Sequence, residues 1–210
     1  MHIEKNEYDN MVFTLLNDSS NKCKDNLKAR KDLQLWGNRP DLWPDENGRY
    51  LPTIYTLTNV NKYIFLKTLK NITVPDGYSS NINRCIDVKQ RKLGGLKSHD
   101  SHILMEQLLP LAMRNTLPKE VCSVLIDLCL CFRKLCNKVL KMDELDQLQS
   151  RVVLTLCHME MLFPPFFTVM VHLIVHLVED SKLGGPVQYR WMYPIERYLG
   201  KLKSYVRNKA

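Results

Sequence analysis

Apolar residues recur at helical spacing over most of the chain, and few stretches alternate as a half-buried strand would. Residues 7–16 predict a short apolar helix, and the spacing of Leu27, Leu33 and Trp36 predicts another over 21–36. The pattern then breaks. "GNRPDLWPDENGRYLPTIYTLT" holds three prolines, two glycines and acidic turn residues, the composition of a linker or structured loop. Helical spacing resumes from Val60 to Leu69, "VPDGYSSN" (74–81) reads as a turn, and the basic "RCIDVKQRKLGGLK" leads through Gly94 and Gly95 to a helix with Ser98 as its expected N-cap. Pro110 should kink that helix, because proline lacks the amide donor and clashes with the carbonyl four residues back. Pro118 opens the next helix, and Asp143 is the expected N-cap of the one after. Pro164-Pro165 restarts the chain into a helix that is apolar nearly all round. Such a helix must be enclosed, so residues 97–180 predict a bundle built around "PPFFTVMVHLIVHLV".

The last helix has a different character. Ile195, Tyr198, Leu199, Leu202, Tyr205 and Val206 form one apolar stripe, while Arg197, Lys201, Lys203 and Arg207 ring the polar side. The expected fold is therefore mainly α: an irregular helical bundle with a loop-rich N-terminal region (1–96) and a helical core ending in a basic aromatic helix (97–210), both within one domain.

Charge sharpens this division. Residues 1–100 carry 16 Lys/Arg against 12 Asp/Glu, residues 101–180 carry 7 against 9, and residues 181–210 carry 7 against 1, so most of the net charge of +8 lies at the C-terminal end. Seven cysteines, an odd number without a CxxC pair, predict reduced, buried thiols. The N-terminus has no apolar signal core, and the longest apolar run spans thirteen residues with two histidines. A cytosolic or nuclear protein is expected, neither secreted nor membrane-spanning.

Candidate chemistry is concentrated late in the chain. In "MYPIERYLGKLKSYVRN" the single carboxylate Glu196 faces the space left by Gly200, among cations, where it suits a divalent metal beside phosphate. The same residue, two after Pro194, also suits an ordinary first-turn acid. His172 and His176 stand one turn apart, a spacing that suits zinc, although no third ligand is evident and buried, hydrogen-bonded histidines explain it as well. In "SHDSH" the residues His99, Asp100 and His102 crowd a helix start, where Ser98 and Asp100 read as capping groups. Arg190, Arg197, Lys201, Lys203, Arg207 and Lys209, interleaved with Trp191 and tyrosines, fit phosphate contact with base stacking or a solvated basic face.

"GLKSHDSHILMEQLLPLAMR", "VPDGYSSNINRC", "DNLKARKDL" and above all "KLGGPVQYRWMYPIERYLGKLKSYVRNKA" closely resemble a plant transposase-associated domain of unknown function, found in transposases of CACTA (En/Spm) type DNA transposons. The resemblance runs from about residue 9 to the C-terminus. It implies a nuclear, DNA-contacting protein and an active site in which two upstream aspartates and a glutamate hold Mg2+ or Mn2+ for phosphodiester transfer. Glu196 would correspond to that glutamate. The core carrying the two aspartates is missing and the chain stops where family members continue, so the expectation is a truncated fragment with no cofactor and no catalysis of its own. The alternative is a module that docks on a transposase core or on another subunit.

Overall fold

The computed structural model describes residues 2–18, 23–73, 82–166 and 169–206. The turn expected at 74–81 and the candidate cations Arg207 and Lys209 lie outside them. Helices dominate: α1 (His2–Leu15), α2 (Leu27–Leu35), α3 (Asn59–Asn71), α4 (Ser98–Ile103), α5 (Leu109–Met113), α6 (Lys119–Leu135), α7 (Met142–Leu162), α8 (Val169–Gly184) and α9 (Tyr193–Tyr205). Between α3 and α4, Ile86–Asp87 and Lys92–Leu93 pair antiparallel as a two-residue hairpin. The protein is mainly α, a helical bundle with an irregular stretch between α2 and α3.

The helix at the centre is not the one its sequence would nominate. Helix α8 buries only Val171, Ile174, Val178 and Ser181, and leaves Val169 and Leu183 exposed, so it closes one side of the bundle against α7 and α1. The enclosed helix is α1, in which Glu4, Glu7, Tyr8 and every residue from Asn10 to Leu15 are buried, packed by α4 and α8. Its four buried polar residues, Glu4, Glu7, Asn10 and Thr14, hide this role from a reading by hydrophobicity. Because α1 touches both α4 and α8, one apolar core runs from Tyr8 through Leu104 and Leu125 to Val178.

Pro110 is accommodated by a wider turn. Residues Leu104–Leu108 adopt a π turn between α4 and α5, with the Leu109 amide bonded to the Leu104 carbonyl five residues back. This loosens the backbone just where the proline ring would meet the carbonyl of residue 106. Other ends differ by a residue or two from expectation. Helix α4 is capped at Lys97, whose amide donates to Asp100 Oδ2 at 3.0 Å, with Ser98 its first residue. Helix α7 is capped at Lys141, and Asp143 with Glu144 fills its first turn. Helix α2 begins only at Leu27, where Asn26 Oδ1 accepts from the Ala29 amide.

Helix α2 turns an unexpected face inward. Trp36 is 74% exposed, whereas Arg30 is fully buried beside Leu33. The Arg30 guanidinium forks onto Asp25, with Nη2 to Oδ2 at 2.7 Å, and Nη1 donates to the Leu42 carbonyl at 2.8 Å. Tyr55 Oη donates to the same Asp25 carboxylate at 3.0 Å, and the Tyr50 ring covers the guanidinium. A buried cation thus helps to gather the loop from residue 40 to residue 55, alongside the burial of Leu42 and Tyr55.

Two stability measurements follow from these burials. Arg30→Ala leaves Asp25 buried and unpaired, and chemical denaturation should show a loss of about 3–5 kcal/mol; a loss under 1 kcal/mol would show the pair to be solvated. Burial raises the Glu7 carboxyl from 4.5 to about 7, with Asn10 and Lys24 opposing. The native state therefore holds a proton that the unfolded chain releases, so the cost of Glu7 is absent below about pH 4.5 and grows as pH rises to about 7. Glu7→Gln should leave stability unchanged near pH 4.5 and raise it by up to about 3 kcal/mol at pH 8. Thermal melts of both proteins across that range check the slope.

Candidate functional site

Two of the segments singled out in the sequence meet in space. Ser98 of α4 and Arg190, Trp191, Met192 and Glu196 of the C-terminal segment line one cavity of about 390 Å³, together with His2, Asp180 and Ser181. The Trp191 ring stands edge-on to the His102 ring, centroids 5.2 Å apart. The helix start at 98–102 and the "QYRWMYPIERY" segment therefore share a wall, with the N-terminus of α1 completing it.

Beneath that wall lies a polar cluster in which Glu4 and His102 are buried and Glu106 and Cys136 partly so. His102 Nδ1 is 2.8 Å from Glu4 Oε1 of α1, and His102 Nε2 is 3.5 Å from Glu106 Oε2 in the π turn. Cys136, the residue that ends α6, lies against Glu106, and one ligand atom from each of Glu4, His102, Glu106 and Cys136 falls within 4.8 Å of the other three. Burial alone would lower the His102 pKa, but the Glu4 hydrogen bond and the charges of Glu4 and Glu106 hold it above the usual imidazole value. Burial raises the Glu106 carboxyl, against the pull of His102. Burial, then the Glu4 and Glu106 charges, push the Cys136 thiol well above the ordinary thiol range. A second cavity, about 220 Å³, opens onto the cluster between His2, Glu4, Cys136, Leu177 and Val187.

The other candidate residues lie elsewhere. His172 and His176 touch edge-on at 5.3 Å, but both are exposed on the outer side of α8, in contrast to the buried pair weighed from sequence. Among the described residues they join no group of three ligand atoms. His99 is exposed, and Asp100 is buried as the capping acid of α4. Arg190 is turned back onto the end of α8, where Nη2 donates to the carbonyls of Asp180 and Gly185 at 3.2 and 3.1 Å. Gly184 makes room for it, since a Cβ there would sit 2.4 Å from Arg190 Nη1. Lys182 pairs with Asp146 and Glu179, tying α8 to α7.

Helix α9 stands apart from this. From Ile195 to Val206 every residue is exposed, including Tyr198 at 62% and Tyr205 at 69%. Glu196 sits in its first turn, its amide bonded to the Met192 carbonyl, and Gly200 faces open space. Around the helix, Tyr198 and Tyr205 lie between the aliphatic stripe and the edge bearing Arg197 and Lys201.

Sequence reading missed Glu4, Glu106 and Cys136. The (i, i+4) spacing of His102 and Glu106 was visible, but Glu4 and Cys136 are brought in only by tertiary packing of α1 and α6. Residues 135–210 match a family described as a domain of unknown function (DUF4218), covering α7, α8 and α9 with Cys136 at its start. No curated protein and no solved structure matches the chain. No helix among the described residues is long and apolar enough to cross a membrane.

Arg190→Ala removes both hydrogen bonds at the end of α8. Because the site is exposed, the expected loss is at most about 1 kcal/mol, accompanied by faster amide exchange near Gly185. Unchanged exchange there would show that the contact does not hold the turn.

Proposed function

We propose that this chain is a transposase-derived helical unit that contacts DNA through its C-terminal segment and acts in the nucleus. The observation that supports the reading is the state of α9: a helix wholly exposed from Ile195 to Val206, with Tyr198 and Tyr205 beside Arg197 and Lys201. Cations release counterions when they meet phosphates, and adjacent exposed rings can stack on unpaired bases. Arg190 and Trp191 would serve by fixing the turn from which α9 departs, since one caps α8 and the other packs on His102.

The Mg2+ or Mn2+ that an intact transposase would use finds no site at Glu196. That carboxylate shares its cavity with Asp180 but joins no group of three ligand atoms among the described residues, so no step of phosphodiester transfer is assigned to this chain. As the third carboxylate of an intact enzyme, Glu196 would act only beside aspartates supplied by the core. Replacing the corresponding residue by Gln in a full-length relative and measuring excision would test that role.

A second reading has its own support. Ile195, Leu199, Leu202 and Val206 form an uncovered aliphatic stripe on α9, which suits docking on a transposase core or another subunit. The two readings use neighbouring flanks of one helix and make opposite forecasts for the isolated chain.

Fluorescence anisotropy of labelled duplex and single-stranded DNA over a salt series distinguishes them. Binding with a steep salt slope, reduced by about 2 in log–log terms in an Arg197→Ala/Lys201→Ala double variant, is expected for phosphate contact. Absence of binding at low salt would reject the DNA reading and leave the docking one.

A further inference from the structure

We propose that Cys136, Glu106 and His102 form a structural site for a divalent transition-metal ion, best suited to Zn2+, with Glu4 orienting the histidine. The proposal stands apart from any contact with DNA.

The geometry distinguishes two kinds of spacing around one imidazole. His102 Nδ1 and Glu4 Oε1 are 2.8 Å apart, a normal hydrogen bond. His102 Nε2 and Glu106 Oε2 are 3.5 Å apart, too long for a good hydrogen bond. It is close to the roughly 3.3 Å that separates a nitrogen and an oxygen each about 2.0 Å from one tetrahedral Zn2+. The remaining Glu106 oxygen, Oε1, is sealed from solvent with no hydrogen-bond partner. A buried carboxylate left in that state is costly, and the charge of a cation between Nε2, Oε2 and Cys136 would offset that cost for the group as a whole.

The donor set is selective. A thiolate and an imidazole favour Zn2+ over Mg2+ or Ca2+, which prefer oxygen alone. Glu4 accepting from Nδ1–H fixes the tautomer that leaves Nε2 free to coordinate, the carboxylate–histidine–metal arrangement that supports such ligands. The cavity between Glu4, Cys136 and Leu177 gives an entry path and room for a water as the fourth ligand. On binding, the Cys136 thiol proton and any proton on His102 Nε2 leave to solvent. Bonds from sulfur, nitrogen and a Glu106 oxygen to the ion form in their place. The ion would join α4 and the π turn to the end of α6.

The test uses the full chain, reduced and stripped of metal, titrated with Co2+ as a spectroscopic stand-in and then with Zn2+. One equivalent of Co2+ should produce thiolate-to-metal charge transfer in the near ultraviolet and strong visible bands of a tetrahedral ion. Fluorescence of Trp191 should fall, and Zn2+ should reverse the absorption changes. Cys136→Ser should abolish the charge-transfer band, while Cys157→Ser, at an exposed thiol, should leave it intact. Glu4→Gln should keep the band but weaken binding about 10- to 100-fold, as expected of a residue that positions a ligand. X-ray absorption of the Zn2+-loaded wild type supplies a readout that needs no variant to fold: one sulfur among nitrogen and oxygen neighbours is expected. Absence of a thiolate band at saturating Co2+, a band that survives Cys136→Ser, or a shell without sulfur would overturn the proposal.

Discussion

The arrangement of this protein turns on burying a helix that carries carboxylates. Helix α1 lies at the centre of the bundle, and Glu4 and Glu7 go inside with it. A buried carboxylate must be neutralised, paired or hydrogen-bonded, and the two residues meet that demand differently. Glu7 holds its proton up to about pH 7 because burial raises its pKa, and Glu4 is paired with His102. Since His102 in turn touches Trp191, satisfying one N-terminal carboxylate draws together helices α1 and α4 and the chain just ahead of α9.

The same logic governs the loop-rich part. Residues 37–58 bury Leu42, Tyr55 and Leu57 but form little regular structure, and Asp25 and Arg30 add a polar centre that binds carbonyls and a tyrosine hydroxyl. The protein thus has an oily core under α3 to α8 and a small ionic one under the loop, both reaching α1 through Leu15 and Leu57, whose amide donates to the Leu15 carbonyl. The C-terminal helix belongs to neither. Its exposure is what the proposed DNA contact and the docking alternative both rest on.

Much of the helical framework was legible because amphipathic spacing and proline punctuation act locally. Helices α3, α6, α7 and α9 follow their apolar patterns, and Pro118 marks the start of α6 as expected. What could not be read was which helix the others would enclose. Helix α8 is the more hydrophobic, yet α1 is central: tertiary pairing of Glu4 and the raised pKa of Glu7 lower the polar cost of burying it. The polar cluster was equally hidden: its members lie up to 132 residues apart, between Glu4 and Cys136, and only its His102–Glu106 half has a local spacing. Conversely His172 and His176 share a helix face, but among the described residues no further ligand joins them.

The π turn at Leu104–Leu108 has a consequence for how this chain tolerates changes in length. A π turn is an α-helix holding one residue more than its repeat allows, so losing one residue there would restore regular winding. That straightening would rotate Ser98–Ile103 by roughly 100° against Leu109–Met113. Asp100, His102 and the contact with Trp191 would turn away from α1 while the core face of α5 stayed in place. A single-codon deletion at this spot would thus disconnect the polar cluster's two ends and, by removing the wider turn, set the Pro110 ring against the carbonyl four residues back.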